Sequence, residues 1–376
     1  MRIGWVSAHP DMPTAYAGQT ALVVPRLIAA GHEVAIFADA GQDSYPSTWR
    51  GQVPVFPKTP YADLGEDVVR PHHDMWKADL VITFFCTWII KYPAVWRDMR
   101  VIHLTPVDCD PMSIRDYRVI AETGGTPAAV SRHGEAMMRK GGPGREPLDP
   151  LYLPHGTDLK TFTPPADRAA LRAEMGYDGK FVVAMNFMNN DKFRKNVNQA
   201  LRGFAVFHGK HPDSLLALHA IQALPEGYNL PVYAKHLGIA DAVRWTPQYE
   251  LVTGMIPPKA LADWYGAADV LLSAGNEGFG LPVIESQACG TPVIAGDWGT
   301  GRELAGPGWL CAGEPWWNDV HQADWQHVLV SSVAAALEEA YEDARNRRDA
   351  SRDNAMAWDI NRQVRDHWEP VLGDLG

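Results

Sequence analysis

The sequence predicts an α/β protein made of two Rossmann-like, doubly wound domains. Three observations carry this. The chain has 376 residues, more than one hydrophobic core normally organises. Short apolar runs alternate with stretches of helical period, which implies parallel strands joined by return helices. The alternation then restarts near residue 180, after a segment rich in proline.

The first half opens with a strand over Arg2–Ser7 and a loop over Ala8–Gln19 holding Pro10, Pro13 and Gly18. Leu22, Val23, Leu27 and Ile28 give a helix from Thr20 to Ala30, and Gly31 ends it. Glu33–Ala38 is the next strand, completing a βαβ unit. Further strands are read at Leu80–Phe85, Arg100–Leu104 and Pro127–Ser131, the last followed by a helix over Arg132–Lys140.

The second half gives strands at Lys180–Asn186, Leu215–His219 and Val243–Trp245, with helices at Asn196–His208 and Leu230–Leu237. A helix over Leu261–Ala268 leads into the apolar strand Ala268–Leu272. The most informative segment follows, from Asn276 to Glu303. Glu277 and Glu285 stand eight residues apart around Gly278-Phe279-Gly280, and a helix starts near Leu281-Pro282. A strand that ends in a glycine turn and feeds a helix aims free N–H groups and a positive dipole end at one point, an anion site that suits phosphate. The carboxylates repel phosphate, so hydroxyls are their natural partners. Phosphate and hydroxyls on one small ligand suggest a nucleotide sugar.

Glu277-Gly278-Phe279-Gly280-Leu281-Pro282-Val283-Ile284-Glu285 resembles the signature of the retaining glycosyltransferases of family 4, which have the GT-B fold. Gly31-His32-Glu33-Val34 and Pro154-His155-Gly156-Thr157-Asp158, with Phe162 and Pro164, resemble other segments of that family. The resemblance spans nearly the whole chain, but only the segments around Pro154 and Glu277 are specific. It implies the GT-B arrangement, two domains facing across a cleft, with an N-terminal acceptor-side domain over 1–164 and a C-terminal donor domain over 165–359. A last helix, about 360–376, should pack back on the first domain.

The same resemblance assigns roles. Glu285 should accept hydrogen bonds from the ribose hydroxyls, and Glu277 should face the transferred hexose. The amides of Phe279, Gly280 and Leu281 should touch sugar or phosphate. Lys195, within Asp191-Lys192-Phe193-Arg194-Lys195-Asn196, should neutralise the leaving diphosphate. The family usually has an arginine six residues before that lysine; here Asn189 stands there as the expected donor contact, and either Arg194 or Lys192 supplies the missing charge or the diphosphate is held less tightly. Gly18 and Gln19 are expected to approach the donor closely from the first domain. His103 and Asp108, in the segment leaving a strand, are alternative contacts for sugar or acceptor. The reaction implied is hexosyl transfer with retention, from a UDP- or GDP-linked sugar to a hydroxyl, by front-face attack without a protein nucleophile. No cofactor or metal is expected: Asp108-Cys109-Asp110 has Asp-x-Asp spacing, but such sites belong to a different transferase fold.

Composition narrows the partners. Net charge is −11; Met1–Pro150 holds 15 Lys+Arg and 17 Asp+Glu, leaving 19 and 28 for the rest. Neither part is basic, which disfavours a broad nucleic-acid or anionic-lipid footprint. The acceptor itself is unread: a small molecule, a glycan, a protein or a modified nucleobase in DNA all suit the scaffold, although a flipped base needs a phosphate-binding surface. A non-catalytic nucleotide-sugar binder is the alternative to an enzyme. Four cysteines without metal spacing, no signal peptide and no membrane span point to the cytoplasm. Of fourteen tryptophans, most should be core, and a few near loops suit a platform for sugar or an apolar acceptor.

Overall fold

Apolar runs bounded by glycine and proline become parallel strands and return helices in the computed structural model of the chain, which describes residues 1–42, 45–62 and 64–376. The chain forms two compact units. Unit 1 holds Met1–Gly156, Asn318–Ala323 and Ile360–Gly376; unit 2 holds Thr157–Trp317 and Asp324–Asp359.

Unit 1 contains β1 (Arg2–Ser7), α1 (Ala15–Ala29), β2 (Glu33–Ala38), β3 (Ser47–Trp49), β4 (Val53–Phe56), α2 (Glu66–Trp76) and β5 (Leu80–Phe84). It continues with β6 (Val101–Thr105), α3 (Ile114–Thr123), β7 (Thr126–Ala129), α4 (Arg132–Lys140) and β8 (Leu151–Tyr152). The strands form one sheet in the order β3-β4-β2-β1-β5-β6-β7-β8, parallel except for the β3–β4 pair. The central strands are buried along their length, as a sheet covered on both faces requires. Helix α1 starts five residues earlier than read. The Thr14 hydroxyl caps it by accepting from the Ala17 amide at 3.1 Å, so the preceding loop is shorter than expected. The C-terminal residues 360–375 are helical, and Trp368 packs its ring 5.9 Å from Trp5 and donates to the Pro154 carbonyl at 3.0 Å.

Unit 2 contains α5 (Arg168–Glu174), β9 (Phe181–Asn186), α6 (Val197–His208), β10 (Ser214–His219), α7 (Leu230–His236), β11 (Val243–Trp245), α8 (Gln248–Val252) and α9 (Pro258–Ala267). Then come β12 (Val270–Ser273), α10 (Leu281–Ala288), β13 (Val293–Gly296), α11 (Gly299–Leu304) and β14 (Trp309–Cys311). A hairpin of β15 (Gly313–Asn318) and β16 (Ala323–Val328) precedes α12 (Val330–Asp343) and α13 (Arg348–Ala355). Six strands make a wholly parallel sheet, β11-β10-β9-β12-β13-β14, around a core that includes Phe204, Phe207, Leu216 and Leu272.

The chain changes units at Gly156, ahead of the boundary read near Pro164. The intervening residues dock on unit 2 through their backbone and one aromatic ring. Thr157 N donates to Trp358 O at 2.9 Å, and Phe162 lies 6.3 Å from Tyr265.

Candidate functional site

Strand order locates the site. In unit 2 the winding reverses between β9 and β12, so their carboxyl ends release two adjacent loops, 187–196 and 274–280. A crevice at such a reversal is where open α/β sheets hold ligands. The two loops bring Lys195 and Glu277 together: Lys195 Nζ donates to Glu277 Oε1 at 2.5 Å. Arg194 Nη1 lies 3.7 Å from Glu277 Oε2 and donates to the Asn276 carbonyl at 3.1 Å. Burial pushes the Glu277 carboxyl up, but the Lys195 and Arg194 charges and the Lys195 hydrogen bond outweigh it and hold it below its ordinary range. The crevice thus sets two cations beside the Glu277 carboxylate.

The pair is held by a brace of asparagines. Asn276, next to Glu277, donates to Arg194 O and Gln326 O at 3.0 Å each and accepts from Gln326 N at 2.8 Å. Asn196, next to Lys195, sits at φ 50° and donates to Ala274 O and Gln326 O at 2.9 Å each. Thr300 Oγ1 donates to the Glu277 carbonyl at 2.9 Å. A side chain at Gly275 would press within 3.2 Å of the Lys195 backbone, so that turn keeps a glycine.

Helix α10 then begins at Leu281, after Gly280 at φ 103° and with no side chain capping it. The uncapped turn presents backbone N–H groups and the positive end of the helix beside the Glu277 loop. Phe279 is buried against Trp358 at 5.4 Å. Glu285 stands inside α10, where its Oε2 accepts from Tyr265 OH at 3.1 Å, and Asn186 Nδ2 donates to the same hydroxyl at 2.7 Å. Burial pushes the Glu285 carboxyl up to about 7, opposed by the Tyr265 hydrogen bond.

Asn189, His103 and Gln19 are held by partners within the protein, and each of these expectations requires a correction. Asn189 is fully buried; it donates to Ile221 O and Tyr228 O at 2.9 and 2.8 Å and accepts from Tyr228 N at 2.9 Å, so it staples backbone rather than meeting phosphate. His103 is the central residue of β6 and fully buried. Its Nδ1 is 3.0 Å from Thr83 Oγ1 and its Nε2 is 2.8 Å from Thr123 Oγ1, and burial pushes it down to about 4. A strand-centre histidine with both nitrogens bonded is a core residue, not a loop contact. Gln19 is buried in α1 and donates to Gly156 O at 2.9 Å. Gly18 lies in the first turn of the same helix, where a Cβ would meet nothing within 4 Å, so packing does not demand glycine there. Asp108 does follow β6 in a loop, and its neighbour Asp110 accepts from Lys140 at 2.5 Å. Among the described residues, no group of three or more His, Cys, Asp or Glu converges as a metal ligand set.

The sequence reading missed Asn196, Asn276, Tyr265, Asn186 and Thr300. Asn196 and Asn276 each flank a charged residue that had been singled out, which was the available signal. Tyr265 had none, because only the packing of α9 against α10 brings it to Glu285.

The chain is similar to known glycosyltransferases. Residues 183–314 match the family described as glycosyl transferases group 1. The D-inositol 3-phosphate glycosyltransferase of Streptomyces avermitilis is 34% identical over 189 residues, covering 47% of this chain and 36% of that protein. The enzyme of that name from Nocardia farcinica is 31% identical over 236 residues, covering 60% and 48%. The chain thus spans about half or less of the length of these curated relatives. Among solved structures, the sucrose-phosphate synthase of Thermosynechococcus elongatus superposes with a TM-score of 0.73 at 19% identity, covering 100% of both chains. Anabaena Alr3699/HepE in complex with UDP-glucose superposes at 0.69 with 16% identity, covering 99% and 100%. At such identities the likeness establishes the fold alone, which is GT-B.

Proposed function

We propose that the chain is a glycosyltransferase that moves a hexose from a nucleoside diphosphate sugar to an acceptor hydroxyl with retention. The observation that carries this reading is the Lys195–Glu277 pair, joined by Arg194 at the mouth of α10 and followed by Glu285 on the same helix. Phosphate needs cations and free amides; the sugar and ribose need hydroxyl acceptors. The cluster gathers both kinds of group from two adjacent loops and the start of α10. The match of residues 183–314 to glycosyl transferases group 1 and the UDP-glucose bound by a structural neighbour support a UDP- or GDP-linked donor. The name shared by the curated relatives makes a cyclic polyol the first acceptor to try.

In this mechanism Glu285 accepts from the ribose hydroxyls and Glu277, ionised, accepts from the hexose. Lys195 and Arg194 carry the charge that grows on the leaving diphosphate as the bond from anomeric carbon to phosphate oxygen breaks. The acceptor oxygen bonds to the same face of the anomeric carbon, and its proton passes to the departing phosphate oxygen. The protein contributes position and electrostatic stabilisation rather than a base.

The test is direct. The protein is mixed with UDP-, GDP-, ADP- and dTDP-sugars, and both thermal stability and nucleotide release are followed. A donor at 100 times its Kd should stabilise by about 2.7 kcal/mol. A product whose anomeric configuration matches the donor's supports retention. Binding without release or transfer would favour a nucleotide-sugar binder, and inversion would remove the front-face route.

A further inference from the structure

Beside the charged pair lies an arrangement that the donor reading does not use. Phe193, two residues before Lys195, is half exposed, and its ring stacks on Trp316 of β15 at 5.3 Å and 16°. Trp316 in turn stacks nearly parallel to His327, at 4.8 Å and 10°, and to Trp325, at 5.9 Å and 19°, both on β16. Trp325 is buried, so the stack runs from the interior of unit 2 outward to an open ring face at Phe193.

This ledge is tied by hydrogen bonds to the Lys195–Glu277 pair. The Gln326 backbone, between Trp325 and His327, is the residue that Asn196 and Asn276 grip, and those asparagines adjoin Lys195 and Glu277. Asp191 Oδ1 accepts from both the Phe193 and Arg194 amides, at 2.7 and 2.6 Å, so the ring and the cation are oriented by one carboxylate. A preorganised aromatic face costs little to offer to a ligand.

We infer that Phe193 on its Trp316–His327–Trp325 stack is a subsite that binds the C–H face of a saturated carbohydrate or cyclic-polyol ring. Calling that ring the acceptor rests on the transferase reading. Aromatic faces are negative, and the positively polarised C–H groups on one side of such a ring lie flat on them. Its hydroxyls then point edgewise toward the polar loop. A base in a nucleic acid would also stack, but it brings phosphates, and the residues after Pro150 hold 19 Lys+Arg against 28 Asp+Glu.

The experiment uses the full chain and two probes, methyl α-D-glucopyranoside and myo-inositol, observed by saturation-transfer NMR. Wild type should saturate the C–H protons of one ring face. Phe193→Ala should weaken probe binding by about 2- to 12-fold, the range expected for one lost aromatic stack. Phe193→Trp should keep it, and Trp317→Ala, on the opposite face of β15, should not change it. Thermal melts establish that each variant is folded. No transfer to either probe, equal transfer in Phe193→Ala, or an equal loss in Trp317→Ala overturns the inference. UDP and GDP titrations by calorimetry separate the two readings. Nucleotide binding without ring binding sinks the ledge alone. Phe193-dependent ring binding without nucleotide binding keeps the ledge and sinks the transferase.

Discussion

A lysine 2.5 Å from a carboxylate, with both side chains largely shielded, cannot lose its partner cheaply. Truncating one member leaves the other charge poorly solvated. Lys195→Ala should therefore weaken the donor and slow transfer together, because negative charge grows on the leaving group. Arg194→Ala, removing the cation at 3.7 Å, should have the smaller effect; Lys195→Ala with wild-type kcat/KM would exclude Lys195 from the site. Glu285 makes a pH prediction. Its folded pKa is raised to about 7, so the folded chain holds this proton more tightly than the unfolded chain, and the associated stability fades as pH rises through 7. Glu285→Gln should thus raise Tm at pH 8 and much less at pH 5, while weakening UDP or GDP. Wild-type nucleotide affinity should itself fall as pH drops below 7, since a protonated carboxyl accepts ribose hydroxyls poorly. A flat pH profile, or normal nucleotide binding by Glu285→Gln, would refute the ribose role. For His103, bonded to two buried threonines, removal should cost stability, not chemistry. His103→Leu should lose about 1–3 kcal/mol in denaturant unfolding with kcat/KM per folded molecule unchanged; a catalytic defect in folded protein would restore it to the site.

Among the elements, α10 owes its direction to one residue that only glycine suits. Gly280 at φ 103° turns the chain from the Glu277 loop into the helix, and a Cβ there would be strained even though its nearest neighbours are at 3.5 Å or more. Gly280→Ala should cost roughly 1–2 kcal/mol and shift the first turn of α10. The expected signature is a lower Tm together with a raised donor KM; a raised KM without loss of stability would mean that the methyl group blocks the ligand instead. The loop before it depends on Asn276, whose side chain bonds the Gln326 backbone as a neighbouring strand would. These elements were partly visible beforehand. Apolar runs announced β9, β10 and β12, whereas the β15–β16 hairpin is full of tryptophan and charge and shows no simple alternation.

At the level of the whole molecule, an acidic chain of net charge −11 still gathers cations at one point, because the Arg194-Lys195 pair meets the distant Glu277 loop and the mouth of α10. On the proposed transferase reading, those cations take the part at the leaving diphosphate that a metal ion takes in other enzymes. Asp110 is engaged by Lys140, and burial pushes the intervening Cys109 thiol well up, so Asp108-Cys109-Asp110 is poorly suited to ligation. Transfer should therefore persist in excess EDTA. Loss of activity on chelation, restored by Mn²⁺ or Mg²⁺, would reverse that conclusion. No helix among the described residues is long and apolar enough to cross a membrane.

The sequence by itself determined the α/β class, the strand and helix order around the Glu277–Glu285 turn, and the identity of Lys195, Arg194, Glu277 and Glu285 as the charged residues of interest. These are local properties: periodicity, glycine positions and charge types can be read within ten or twenty residues. Only the tertiary structure decided who touches whom. Asn189 and His103 stand at the positions in the sequence where ligand contacts were expected, yet one closes backbone bonds and the other fills a sheet. Tyr265 and Gln326 carry no signal at all, yet they hold Glu285 and the asparagine brace. The reason is physical. A polar side chain is committed by whichever buried donor or acceptor it must satisfy, and that partner is set by packing between segments tens to more than a hundred residues apart.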